Sequence, residues 1–186
     1  MRVDRAAAER AILAFLQAIG RDPVHEPELQ GTPARVTAAY LDELCAGYGR
    51  DPSEVVRPHV IEGSTTIVAL RDIQVTTMCP HHLMPASGLG TIAFAPGRKL
   101  VGLGVLGELL DVVSRRLILQ EEIGERVAAT LAAELGARWV ACRLVLTHSC
   151  VTARGERKHG ALAETVAFVG DASERAVALA IVGSQA

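Results

Sequence analysis

The order in which hydrophobic periods follow one another is the strongest constraint on what this chain can fold into. Residues 4–19 set Ile12, Leu13, Leu16 and Ile19 on one helical stripe, and Gly20, Asp22 and Pro23 stop it. Thr32-Pro33 predicts a second helix, with Thr32 as N-cap and Pro33 at the first helical position. Val36, Ala39, Tyr40 and Leu44 carry its buried stripe to about Gly47, and residues 48–63, holding two Pro and two Gly, read as a loop. The period then changes. Residues 65–75 are rich in branched side chains, and 89–95 form a second strand bounded by Gly88 and Pro96-Gly97. Helical spacing returns at 104–115 through Val105, Leu106, Leu109, Leu110 and Val113, and at 120–135 through Ile123, Val127 and Leu131, with Gly136 as C-cap. Residues 139–148 and 162–169 read as strands, and Asp171 or Ser173 caps a final helix.

An order of ααββααββα predicts antiparallel hairpins with helices collected on one side, an α+β fold. A length of 186 residues fits one domain, with N-terminal helices over 1–47 and an α+β core over 64–186. Apolar residues make up 49%, but the only aromatics are Phe15, Tyr40, Tyr48, Phe94, Trp139 and Phe168, so Ala, Val and Leu must build the core. So much apolar material in both helices and strands suggests surfaces buried between subunits. Nineteen basic against 21 acidic side chains, without a basic run, argue against nucleic acid as partner. No stretch reaches 18 uninterrupted apolar residues, so no membrane span is expected. Met1 to Glu9 is charged throughout and has no apolar leader core, which points to the cytoplasm.

The densest chemistry is Met78-Cys79-Pro80-His81-His82. Cys79 and His82, three apart, can reach one ion from a tight turn, and zinc accepts sulfur and nitrogen ligands. A further ligand would come from Thr147-His148-Ser149-Cys150, where His148 and Cys150 leave the same face of an extended chain. A Cys79–Cys150 disulfide is the competing reading, disfavoured in a reducing compartment. Cys45 and Cys142 sit in apolar periods and read as core fillers. On local grounds Glu121 and Glu122 simply begin a helix, where acidic side chains are favourable.

The residues, taken together, resemble the GTP cyclohydrolase I family. The landmarks run in order from Gly20-Arg-Asp-Pro through Thr32-Pro-Ala-Arg-Val, Arg71-Asp-Ile, Cys79-Pro-His-His, Val101-Gly-Leu, Ser114-Arg-Arg, Leu119-Gln-Glu and Thr147-His-Ser-Cys to Arg154-Gly. The resemblance implies a tunnelling-fold subunit that assembles into a barrel-forming homodecamer of two pentamers, with active sites between subunits. It implies zinc held by Cys79, His82 and Cys150, and His81 and His148 as proton carriers beside it. In that family a zinc-activated water attacks C8 of the purine imidazole ring, which opens; formate leaves and 7,8-dihydroneopterin triphosphate forms. Zinc-bound water ionises near pH 7, and a positioned proton carrier contributes about 10²–10⁴-fold. The resemblance further implies that Gln120 and Glu121 grip the pyrimidine edge of guanine, and that Arg154 and Arg35 lie near the phosphates. Arg157, Lys158 and His159 follow closely, Lys158 and His159 reading as a solvated turn.

Three positions depart from the family pattern. Pro80 stands where an acidic residue is usual, which stiffens the ligand turn. His25-Glu26-Pro27 replaces Arg-Glu-Gly, away from the cysteines and histidines. Gly104, Val105 and Glu108 occupy positions of a Ser, a Lys and an Arg that bind triphosphate. Each close charge interaction is worth roughly 1–4 kcal/mol, so this exchange should cost several kcal/mol against a triphosphate. The expectation is therefore a zinc-dependent cyclohydrolase acting on a guanine-type purine that carries little or no phosphate, a diverged paralogue. The alternatives are ordinary conversion of GTP, or a non-catalytic purine- or pterin-binding protein with structural zinc. Retention of His81, His148, Gln120 and Glu121 speaks against the last.

Overall fold

The computed structural model describes residues 3–155 and 157–183. Helix α1 (Arg5–Ala18) begins where Asp4 accepts a 2.9 Å hydrogen bond from the Ala7 amide. Helix α2 (Thr32–Ala38) begins one residue earlier than the sequence predicts, so Thr32 is not its cap. Gly31 supplies the turn instead, at φ 73, a left-handed conformation that glycine adopts without strain, and its carbonyl receives the Arg35 amide. The helix passes into a wider π turn over Ala39–Leu44.

The predicted 48–63 loop holds a short helix, α3 (Pro52–Val56). Asp51 caps it through the Ser53 amide at 2.9 Å and Pro52 opens it, while Val55 and Val56 are buried. The Pro and Gly residues around it mask the Asp51-Pro52 helix start. Strand β1 (Ile61–Glu62) pairs with β4 (Lys99–Leu100) in a two-residue ribbon.

The main sheet is antiparallel in the order β2-β3-β5-β6, made of β2 (Val68–Met78), β3 (Pro85–Ala95), β5 (Trp139–His148) and β6 (Ala163–Gly170). Strand β2 is shifted three residues towards the C-terminus of its predicted span and β3 starts four residues earlier than predicted, because the Met78–Pro85 pair closes their hairpin next to the cysteine–histidine turn. The ladder skips between Leu70 and Ile73, where Asp72 takes φ 55.

Helices α4 (Leu103–Ser114) and α5 (Gln120–Leu135) cover one face of the sheet. Their buried residues, among them Leu106, Leu110, Ile123, Val127 and Leu131, meet Ile92 and Phe94 of β3 and Val140, Cys142, Leu144 and Leu146 of β5. Each such side chain contributes about 1.5–3 kcal/mol on burial. Gly124 brings α5 close to the sheet: a Cβ there would lie 3.1 Å from the Ala167 methyl. After the one-turn helix α6 (Ser149–Thr152), helix α7 (Arg175–Gly183) packs Ala178 and Val182 on Ala93, Ala95, Trp139 and Ala141. Those strand residues alternate with the ones under α4 and α5, so α7 lies on the opposite face. The expectation of helices on one side holds for α4 and α5 only, because both faces of this end of β3 and β5 are apolar. Among the described residues no helix is long and apolar enough to cross a membrane.

Candidate functional site

Antiparallel register brings three chain segments to one end of the sheet. Met78 ends β2 opposite Pro85, which starts β3, and Ala86 next to it faces His148, the last residue of β5. The start of α5 is tied to the same end, since the Met78 amide donates to the Arg116 carbonyl and its carbonyl accepts from the Ile118 amide. The turn between β2 and β3 closes on itself through Leu83 N–H to Cys79 C=O and Cys79 N–H to Met84 C=O, both 2.9 Å. Leu83 pays for this turn with φ 52, a left-handed backbone that costs a non-glycine residue about 1–2 kcal/mol. The Tyr40 hydroxyl donates to the Leu83 carbonyl at 2.7 Å and helps to hold it.

Cys79, His82 and Cys150 are gathered with their ligand atoms within 4.8 Å of one another. Cys79 Sγ lies 3.6 Å from His82 Nδ1. A tetrahedral zinc with bonds of about 2.3 Å to sulfur and 2.0–2.1 Å to nitrogen requires roughly this separation. Two thiols and an imidazole, with room on the cavity side, fit a zinc site that keeps a fourth position open. All four cysteines are free thiols. His82 turns its other nitrogen, Nε2, to Arg154 Nη1 at 2.9 Å. Cys150 arrives differently from the expectation of a continuing strand: β5 stops at His148, and α6 carries Cys150 in. The Thr152 hydroxyl returns to the His148 carbonyl at 3.2 Å and stabilises this turn.

A cavity of about 410 Å³ opens beside the cluster. Its wall includes Cys79, His81, His82, Gln120, Glu121, His148 and Cys150, so sequence reasoning identified most of its chemistry. It did not identify Thr77, or the Ala161–Ala163 rim contributed by the start of β6; neither carries a motif. Gln120 is buried, and its amide nitrogen faces the Leu144 carbonyl, the Ala163 carbonyl and the Thr165 hydroxyl at 3.0–3.2 Å. Three acceptors on one side fix the amide orientation, so its oxygen faces His148 Nε2, at 2.7 Å. His148 Nε2 therefore carries the hydrogen, and Nδ1 holds the lone pair of the neutral ring. Burial pushes the His148 pKa below its ordinary value, partly offset by the Glu121 carboxylate. The Gln120 side chain is thus engaged with the protein, and Glu121 is the exposed member of the pair at the cavity. His81 is exposed on the wall, edge-on to His82.

Other expected site residues are not brought to this cavity within one chain. Arg35 lies on α2, bonded to the Thr32 hydroxyl at 3.1 Å. Val105 and Glu108 lie on α4, where the Glu108 carboxylate pairs with Arg50. Cys142 is fully buried in the core, as expected, its thiol pushed up to about 12 by desolvation, whereas Cys45 is only half-buried where the π turn ends and is not part of the packed core.

Comparison with known proteins gives a consistent picture. The sequence profile of the family described as GTP cyclohydrolase I matches residues 8–182. The GTP cyclohydrolase 1 of Leifsonia xyli subsp. xyli is 40% identical over 185 residues, covering 97% of this chain and 96% of that protein. That of Rhodopirellula baltica is 39% identical over 188 residues, covering 99% and 81%, and that of Corynebacterium glutamicum strain R is 38% identical over 183 residues, covering 97% and 92%.

Proposed function

Because this chain belongs to the GTP cyclohydrolase I family, we propose that it is a zinc-dependent hydrolase that opens the imidazole ring of a guanine nucleotide, with GTP as substrate. The observation that carries this reading is the Cys79–His82–Cys150 cluster on the same cavity wall as an oriented His148. Zinc held there supplies a Lewis acid and lowers the pKa of water from 15.7 to about 7.

The chain's own residues divide the remaining work. Gln120 holds the His148 hydrogen at Nε2, which leaves Nδ1 to take up a proton when water adds to C8. His81, exposed on the cavity wall, is placed to return a proton to the ring nitrogen as the carbon–nitrogen bond breaks. Glu121 is acceptor-only when ionised and can take the paired N–H donors of a guanine edge. Arg154, whose guanidinium lies against His82, offers a cation for an anionic tail. Arg35 and helix α4 lie apart from this cavity, an arrangement that suits active sites shared between subunits of a homo-oligomer.

A second reading, a guanine-type substrate with little or no phosphate, is favoured by Val105 and Glu108 at positions where cations are expected. Against it, Glu108 is not a lone negative charge. Its partner Arg50 brings a guanidinium to the same part of α4, so the pair is neutral as a unit. This makes the charge cost of a bound triphosphate smaller than the sequence alone implies. The GTP cyclohydrolase 1 names of relatives at 38–40% identity support GTP.

Incubating zinc-loaded, reduced protein with GTP, GMP, guanosine and guanine in parallel tests both readings. Loss of the GTP peak is the expected result. Consumption of an unphosphorylated member with GTP untouched would establish the second reading. Tight binding of a purine without turnover would overturn both in favour of a non-catalytic binding protein.

A further inference from the structure

Two buried threonine hydroxyls have no hydrogen-bond partner among the described residues, and one of them, Thr77, stands on the wall of the cavity beside the metal-ligand cluster. Thr77 is 1% exposed. Leaving a buried hydroxyl unpaired is unfavourable, so such a group invites an explanation. The sheet register supplies one. Thr77 on β2 faces Ala86 on β3, and Ala86 faces His148 on β5. Residues directly opposite one another across a sheet share a face, so Thr77 and His148 lie on the same side, two strand spacings or about 10 Å apart. Ile118 and Gln120 close the same wall.

We propose that Thr77 is a substrate-positioning contact, its hydroxyl hydrogen-bonding a ring heteroatom of the purine held between it and His148. The assignment rests on the reading of this cavity as a purine site and adds a residue to it. A threonine hydroxyl is donor and acceptor at once, so it can meet a ring nitrogen or a carbonyl oxygen on the buried edge of a heterocycle. Only a ligand with a polar atom at that depth completes the bond. A purely apolar ring would leave the hydroxyl unpaired and be disfavoured, which makes Thr77 a determinant of specificity.

The second such hydroxyl provides the control. Thr37, 2% exposed, lines a second cavity of about 650 Å³ between α1 and α2, which meets the first only at His82. Thr77→Val and Thr37→Val each replace an unpaired hydroxyl by a methyl of similar shape, and neither should lower the thermal midpoint. Kinetics are measured on whichever of GTP, GMP, guanosine and guanine the wild type consumes fastest. Thr77→Val is expected to raise KM about 3- to 10-fold, with kcat within about twofold, the loss of one hydrogen bond. Thr77→Ser, which keeps the hydroxyl, should stay within about twofold of wild type, and Thr37→Val should leave both constants unchanged. A wild-type KM for Thr77→Val, or an equal rise in Thr77→Ser or Thr37→Val, would overturn the assignment while leaving the purine reading intact. Failure of the wild type to consume or bind any of the four compounds would overturn both.

Discussion

The middle of strand β5 and the turn that follows it use the same residue type for opposite purposes. Cys142 sits among Val140 and Leu144, fully buried under α5, with its thiol held neutral. Eight residues on, Cys150 is half-buried beside Cys79 and His82. Between the two, the chain leaves the apolar interior of β5 and turns abruptly into α6. The difference teaches that the sheet end, not the cysteine, makes the chemistry. Inside the ladder the backbone is satisfied and the side chain has only apolar neighbours. Where the ladder stops, turns from separate parts of the chain bring thiols and imidazoles within reach of one ion.

One substitution made at both positions should split these roles most sharply. Cys150→Ser is expected to take bound zinc from one equivalent per chain to near zero and to abolish turnover, by metal analysis and activity assay; unchanged stoichiometry would remove Cys150 from the ligand set. The next effect in size belongs to Gln120, which touches His148 rather than the ion. Gln120→Ala should lower kcat about 10- to 100-fold while zinc is retained, since orienting partners of site histidines are worth about this much. Loss of the acceptor in Gln120→Ala should also change the His148 ring tautomer read by nitrogen-15 NMR. A wild-type His148 spectrum for Gln120→Ala would assign Gln120 a merely structural role. Cys142→Ser, by contrast, should leave zinc in place and cost about 1–3 kcal/mol of stability in urea unfolding, the penalty for a hydroxyl among aliphatic side chains.

The same contrast explains which features are legible in the amino-acid order and which are not. Helix α5 and strand β5 follow from local period, because Ile123, Val127 and Leu131 repeat at helical spacing and every β5 residue from Trp139 to Cys142 is apolar and buried. The cysteine–histidine cluster follows from two short motifs together with the family resemblance. What the sequence withholds depends on distant partners. Val55 and Val56 form a helix inside a Pro- and Gly-marked stretch because Asp51 caps it and α4 and α5 offer an apolar surface. Gln120, expected to face a ligand, is drawn inward by two carbonyls and the Thr165 hydroxyl that only the folded sheet places there. Thr77 carries no motif at all; its interest lies in burial without a partner.

The smallest expected effect is a pH dependence confined to the middle of the strand. Burial raises the Cys142 thiol from 9.0 to about 12, so the folded chain keeps a proton that the unfolded chain gives up above pH 9. The folded state then binds more protons than the unfolded one, and stability falls as pH rises between 9 and 12, by at most about 1.4 kcal/mol per pH unit. Below pH 9 this group contributes no slope. Cys142→Ala removes the effect and leaves other titrating groups unchanged, so the difference between the two proteins isolates it. Urea unfolding at pH 7 and pH 10 should show the stability gap between wild type and Cys142→Ala shrinking by about 1 kcal/mol at the higher pH. A gap that stays constant would mean that Cys142 ionises as readily in the folded chain as in the unfolded one. The interior of β5 would then be open to water, and the contrast with the cysteine–histidine cluster beyond its end would fail.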